Sequence, residues 1–429
     1  MSGLVYILLI FIALLPKITI ISVSNSTTGV RLEDFLILVI FLAIILGTRH
    51  SSKNNFDKDF SKVKKIFYIY LFCSLISTFY GNIRGYVTPI TSLLFLGRKM
   101  EYFTLLYVGY YYKRLINGKE NKLLNFIVIF HFALCILQLF GFIGSFNHGK
   151  MIDRLTQGRV SSTFNGAYEL SAFLLLILPF YIEKILNKNG SFLKNIIYIV
   201  IITYCILVSS SRTSIIVELF IFAYMFYKSG IAKNRRYMQK IIIISIIAII
   251  PFFIYLIPKL DFSRYVNLTL DKTFYTLKYT WTYKNFDKYV TERSWYGDSP
   301  YTLNQMDAMG FDGSSYQRFA HWMQLIDGWI RNPLLGCGVS VAGNAADGNY
   351  IKILVETGIV GLFLWLYLLC VIYKILVKKR NWLLYSFITI ILGAIFIDLF
   401  DSSKVIMLFW FLFGIYLRRN FHDQEYSNN

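Results

Sequence analysis

The run Lys240-Ile241-Ile242-Ile243-Ile244-Ser245-Ile246-Ile247-Ala248-Ile249-Ile250-Pro251-Phe252-Phe253-Ile254-Tyr255-Leu256-Ile257-Pro258 is apolar after Lys240 but for Ser245, and the chain then changes character until Tyr350. The interruption lasts roughly 90 residues, long against usual connection lengths. It is rich in Tyr, Trp, Asp, Asn and Gly. A channel or a simple anchor needs no such insert. A membrane enzyme does, because chemistry on a water-soluble group needs a walled site beside the bilayer.

Outward from this boundary the chain is apolar in both directions. Of 429 residues 56% are hydrophobic and 16% charged, and mean hydropathy is +0.53. These values exclude an ordinary soluble domain and predict an all-α integral membrane protein. The pattern predicts about twelve spans of roughly 20 residues. They lie near 3–22, 33–48, 66–81, 89–112, 124–144, 167–186, 194–210, 213–228, 240–258, 350–373, 382–399 and 404–417. Three parts follow: transmembrane helices one to nine in 1–258, a large loop in 259–349, and the last three helices with a short tail in 350–429.

The net charge of +20 raises nucleic acid as a partner, but its placement argues against that. Lys and Arg concentrate in alternate short loops, from Lys53 to Lys65, Lys113 to Lys122, Lys184 to Lys194, Lys228 to Lys240 and Lys374 to Arg380, with Arg418 and Arg419 after the last span. The positive-inside rule then puts both termini in the cytoplasm and the insert on the outer face. The start, Met1-Ser2-Gly3, lacks a positive region, so the first span reads as uncleaved.

Cys73, Cys135, Cys205, Cys337 and Cys370 show no paired spacing and read as small apolar fillers. The five histidines lack metal-ligand spacing, and there is no Walker loop or Gly-rich nucleotide fingerprint. No cofactor is expected, and the energy for a reaction must come from the substrate.

Ionisable residues at membrane depth are functional candidates by default. Arg98, Lys99 and Glu101 lie near the middle of the fourth span. Arg98 and Glu101, three apart, either neutralise each other or serve a substrate. Ser209-Ser210-Ser211-Arg212-Thr213-Ser214 is a polar hairpin between two very apolar spans. Arginine with hydroxyls at a helix start suits phosphate oxygens, whereas the plainer reading has Arg212 snorkel to the interface. Gly158-Arg159-Val160-Ser161-Ser162-Thr163-Phe164-Asn165-Gly166 is a loop with Lys150 and Arg154 nearby, and it leads into a span bearing Glu169. It is either a binding loop or simply a solvated one. Glu218, Asp398 and Asp401 are weaker candidates, for which the plainer reading is pairing with arginines of the bundle.

Within the insert, Tyr265, Trp281, Tyr283, Trp295, Tyr296 and Tyr301 stand among both charges, a composition that suits sugar rings or the core of a helical cap. Ser314 or Ser315 predicts a helix running to about Arg331, with Phe319, Trp322, Met323, Ile326 and Ile330 as its packing face. Arg318 and His321 lie together off that stripe. Asn332-Pro333 ends the helix, and Gly336-Cys337-Gly338 allows a tight turn. The chain re-enters the apolar pattern through Asp347-Gly348-Asn349-Tyr350, where Asp347 is either a base for a sugar hydroxyl or a helix cap.

The set Arg318…Trp322…Asn332-Pro333-Leu334-Leu335-Gly336-Cys337-Gly338…Asp347-Gly348-Asn349-Tyr350-Ile351…Glu356-Thr357-Gly358-Ile359-Val360-Gly361, with Ser209–Ser214 and the loop at Arg159, resembles the O-antigen ligase and O-antigen polymerase superfamily. The resemblance implies a C-type glycosyltransferase architecture without a metal, acting on sugars carried by undecaprenyl diphosphate at the outer face of the inner membrane. It implies that Arg159 and Arg318 engage the diphosphate or the glycan, and Arg212 matches the arginine after the seventh span. Ligases usually carry His-Asn before the re-entering helix. Here Asp347 takes the place of that His, which favours a polymerase.

The expected reaction is therefore polymerisation of lipid-linked repeat units into O-antigen or capsule. Asp347, Arg212 and Arg318 are the expected catalytic residues. Arg159, Arg98, Ser211, His321, Tyr350 and Glu356 are expected to bind substrate, Glu356 by orienting an arginine. Partners implied are the lipid-linked sugars, the bilayer, and a flippase and chain-length regulator of the same pathway. A ligase moving polymer to lipid A-core is the nearer alternative, and a lipid-linked oligosaccharide transporter the more distant one.

Overall fold

The first apolar run does not continue as one helix. Residues 9–14 are helical, and Pro16 follows directly after Leu15. Proline has no N–H to give and its ring clashes with the preceding turn. The β-branched residues beyond it form β1 (Thr19–Ser22), paired antiparallel with β2 (Gly29–Arg31). The expected span 3–22 thus ends early and gives way to a small hairpin. The computed structural model describes residues 9–22, 29–49, 58–111, 120–147, 150–152, 159–187, 191–228, 286–292, 313–343, 347–378 and 381–427. The ninth expected span, Arg154 and the insert aromatics from Tyr265 to Tyr301 lie outside these residues.

The rest is helical apart from a second hairpin, β3 (Ser145–Asn147) with β4 (Lys150–Ile152). In chain order the helices are α1 (Leu32–Arg49), α2 (Lys58–Ile83), α3 (Pro89–Tyr111), α4 (Glu120–Leu139), α5 (Ala167–Leu186), α6 (Phe192–Val208) and α7 (Arg212–Lys228). They continue with α8 (Phe286–Glu292), α9 (Gly313–Arg331), α10 (Asn349–Val377), α11 (Trp382–Gly393) and α12 (Ser403–Ser427). α3 packs along α12 and α2 along α10; α5 packs against α6 and α11; α9 lies on α10.

Among the described residues, three helices are long and apolar enough to cross a membrane: Lys58–Ile83, Asn121–Leu139 and Asn349–Val377. Charges inside the helix hold α3 (Arg98, Lys99, Glu101) and α5 (Glu169, Glu183, Lys184) below that standard. α2 and α10 turn large apolar residues outward, Phe79 being 69% and Phe363 68% exposed, as a lipid-facing surface requires. A helical membrane protein is the architecture.

α9 forms where the sequence predicts it, but its inward face is rotated. Ala320, His321, Met323, Gln324 and Leu325 are buried, and Ile330 is exposed. α8 supplies the reason: Phe286 and Tyr289 pack with Leu325, so the face toward them is covered. Of the expected stripe of Phe319, Trp322, Met323, Ile326 and Ile330, Met323 is buried and the other four are partly or largely exposed.

Candidate functional site

The helix α10 is broken at Gly358, whose φ of 67° and ψ of −172° suit only glycine. The break frees carbonyls that a straight helix would have satisfied. Cys337 N–H donates to Val355 O at 2.7 Å and Gly338 N–H to Glu356 O at 3.0 Å. Ile359 N–H in turn reaches Pro333 O at 2.9 Å. The Asn332–Gly338 turn is therefore inserted into the kink, with the Leu334 carbonyl where a Cβ on Gly358 would lie. Two motifs about twenty residues apart form one backbone unit, and this unit roots the site.

Just before α10, Arg318 and Asp347 form an ion pair. Arg318 Nη2 and Nε donate to the same carboxylate oxygen at 3.0 and 3.3 Å. Trp322 Nε1 donates to the Asp347 carbonyl and stacks near Phe396. The Asp347 side chain is 37% exposed, so the carboxylate remains open to a substrate.

Behind this pair lies a buried charge network that sequence reasoning missed. Lys352, 1% exposed, donates to Asp398 at 2.9 Å and meets Asp401 at 2.7 Å. Asn349 donates from Nδ2 to Asp398 at 2.6 Å and accepts from Phe400 N–H at 2.9 Å. Asp398 and Asp401 sit in the turn between α11 and α12, and their partner is a lysine rather than an expected arginine. A lysine in an otherwise apolar run was the available signal. Glu356 likewise meets Lys99 at 3.4 Å, not an arginine, and accepts Ser340 N–H at 3.0 Å.

From the other side, the start of α5 brings Tyr168 within electrostatic reach of Asp347, Asp398 and Lys352. The Tyr168 carbonyl accepts from Ser171 Oγ at 3.0 Å. Ser171 bonds Ser214 at 2.7 Å, and Ser214 bonds Ser211 at 2.8 Å. This hydroxyl chain ties the Ser209–Arg212 hairpin to α5. The hairpin turns at Ser210, whose φ is +52°. Val160 N–H reaches Val208 O at 3.5 Å, so the loop carrying Arg159 lies against the same hairpin. Gln138 holds that loop, accepting from Ser161 and Ser162 N–H and donating to Ser162 O. Arg159, Ser211, Arg212, Arg318 and Asp347 thus gather at the end of the bundle that carries the insert.

Four expected binding residues are placed otherwise. His321 parts from Arg318: it is 3% exposed, and Nε2 lies 3.1 Å from the Tyr289 hydroxyl under α8. Tyr350 spends its hydroxyl on Ile391 O at 3.0 Å. Arg98 donates to Gly29 O of β2 and faces Tyr102 and Asp34, so it anchors the hairpin rather than merely neutralising Glu101. Glu356 sits fully buried at the kink. Glu218, also expected to find an arginine, accepts from Thr203 at 2.6 Å. At the turn itself, burial pushes the Cys337 thiol up to about 12 against the Asn332 amide, and Sγ donates to Gly328 O at 3.3 Å.

Residues 197–366 match the family model described as O-antigen ligase. The matched segment includes the Ser209–Arg212 hairpin, the Arg318–Asp347 pair and the broken helix, and excludes Arg159 and the Asp398–Asp401 turn. None of the curated proteins matches the chain. The segment that builds this end of the bundle is thus similar to the O-antigen ligase family, which supports the resemblance of this membrane protein to the O-antigen ligase and polymerase superfamily.

Proposed function

We propose that the chain is a membrane glycosyltransferase of C-type architecture. It polymerises oligosaccharide repeat units carried on undecaprenyl diphosphate at the periplasmic face of the inner membrane, with both termini in the cytoplasm. The observation that carries this reading is the partly exposed Arg318–Asp347 pair, within electrostatic reach of Tyr168, which Ser171 and Ser214 tie to the Ser209–Arg212 hairpin. Asp347 and the three arginines are the groups this reading assigns to the lipid headgroup.

In this mechanism a hydroxyl of the incoming repeat attacks the anomeric carbon of the growing chain's reducing-end sugar. The bond to the diphosphate breaks, and undecaprenyl diphosphate leaves with its electrons. Arg212, Arg318 and Arg159 offset the charge developing on the diphosphate, the kind of fixed electrostatic help that dominates many enzymes. Asp347 accepts the hydroxyl proton, and Arg318 orients it. Lys352, Asn349 and the two aspartates of the turn between α11 and α12 hold the start of α10 in place.

Ligation onto lipid A-core is the second reading, favoured by the description of the matched family. Purified protein, given synthetic repeat units on undecaprenyl diphosphate, should produce a ladder of multiples on a gel. Arg318→Ala with Arg212→Ala should abolish it. Folded protein that makes no ladder, but moves polymer to lipid A-core, would transfer the assignment to ligation.

A further inference from the structure

α9 carries its amphipathy inside out. Its buried side holds His321 and Gln324 beside Ala320 and Leu325, and Gly328 lets Phe286 of α8 close against it. Its outward side is Phe319, Trp322, Ile326 and Ile330, spaced by three and four residues along one stripe. Leu334 extends the line in the turn beyond. Ile330 is 55% and Leu334 64% exposed. A helix in water has the opposite arrangement, with its apolar stripe on the core.

No charge interrupts this stripe. The charged side chains of α9 stand off it. Arg318 is held by Asp347, while Asp327 and Arg331 turn toward α8, where Arg331 Nη1 meets Asp287 at 2.6 Å and Phe286 N–H donates to Asp327 at 3.2 Å. The indole N–H groups are spent inside the protein. Trp322 Nε1 donates to Asp347 O, and Trp329 Nε1, at the edge of the stripe, donates to Pro333 O at 3.2 Å. Satisfied donors of this kind are what a side facing hydrocarbon requires, because no water is there to bond them.

Both ends of the stripe join exposed apolar surface of the bundle. At one end Trp322 stacks with Phe396 at 6.2 Å, and Phe396 and its neighbour Ile395, just past α11, are exposed. At the other end the turn carrying Leu334 is set into the break of α10. Ile359 N–H donates to Pro333 O at 2.9 Å, and Ile359 and Val360 are exposed. α10 is long and apolar enough to cross a membrane, and its exposed Phe363 lies one turn further on. An apolar patch of this extent marks a contact with lipid or with protein. Its continuity with the outward face of α10 selects lipid.

We propose that α9 is immersed in the bilayer at the insert end, with Phe319, Trp322, Ile326, Ile330 and Leu334 against acyl chains. Helices that lie at a membrane boundary bury one apolar face in this way. The helix that presents Arg318 is then fixed in depth by lipid on one side and by α8 and α10 on the other. The Arg318–Asp347 pair stands at the membrane boundary rather than in a cap surrounded by water. The inference holds whatever transfer the site performs.

The test puts a nitroxide on Ile326→Cys, Ile330→Cys or Leu334→Cys in the full chain with Cys370→Ser. The other native cysteines are buried. The protein sits in nanodiscs of phosphatidylethanolamine and phosphatidylglycerol. Power saturation of the spin signal is read with oxygen, which concentrates in hydrocarbon, and with a water-soluble nickel chelate. Phe363→Cys on the outward face of α10 is the lipid reference, and Thr291→Cys on the exposed side of α8 the aqueous one. At all three positions the oxygen-to-nickel ratio should lie nearer that of Phe363→Cys. A ratio nearer that of Thr291→Cys at any of them overturns the proposal, because the stripe then stands in water. Protection from both reagents overturns it as well, because protein then covers the stripe. Ile330 and Leu334 are surface positions, so folding does not depend on their side chains, and either one alone decides the outcome if Ile326→Cys fails to fold.

Discussion

Lys352→Met is the perturbation whose consequence follows most directly from the geometry. The ammonium lies 2.9 Å from Asp398 and 2.7 Å from Asp401 and is almost fully enclosed. Removing one partner from a buried ion pair costs about 3–5 kcal/mol, because the remaining charge is stranded. Here the change leaves two carboxylates facing each other. That loss is roughly two to three and a half decades of the folding equilibrium, at about 1.4 kcal/mol per decade. The assay is unfolding of purified protein in mixed micelles by titration with a denaturing detergent, read by tryptophan fluorescence. Lys352→Met combined with Asp398→Asn and Asp401→Asn should recover most of the lost stability, since replacing a whole buried network is close to neutral. The Asn at 398 also keeps an acceptor for Asn349. A single variant within about 1 kcal/mol of wild type, well under the expected loss, would refute the reasoning, and so would a triple variant no better than the single one.

Three further outcomes are expected. Gly358→Ala should lose at least the roughly 1–3 kcal/mol of backbone strain at that φ and ψ and loosen the Asn332–Gly338 turn. Gly85→Ala, also at positive φ but in open space, is the milder control, and equal losses in the two would count against the inserted-turn account. Gln138→Leu strands the Ser161 and Ser162 amides at about 1–3 kcal/mol for each unmade bond, and Gln138→Glu, which keeps the acceptor, should fall between; a neutral Gln138→Leu would show that the loop is held elsewhere. Burial holds the Cys337 thiol protonated up to about pH 12, so a maleimide at pH 8 should not label it until the protein unfolds, and labelling of folded protein would contradict its place under Gly328.

The apolar runs, the break between Pro258 and Tyr350, the helix ending at Arg331 and the glycines of the 336–338 turn are all local matters. Each depends on a window of neighbours, which is why they were legible in the chain. Pro16 was legible too and was passed over, so the first run was read as one span although proline stops it at the insert end. The face of α9 was not legible. Its own sequence offers Phe319, Ile326 and Ile330 as the apolar stripe, but Phe286 and Tyr289 of α8 decide which side is covered.

Sequence alone determined that this is a helical membrane protein with charges where charges are expensive, and it named Arg318 and Asp347 before they were seen to pair. Only the tertiary structure decided which charge answers which. Lys352 finds Asp398 across 46 residues, Lys17 finds Glu169 across 152, and Lys99 finds Glu356 across 257. Hydropathy is set by neighbours along the chain and can be read in order. An ion pair is set by which helix ends meet in space, and burial, which makes the pairing obligatory, exists only once the helices have packed.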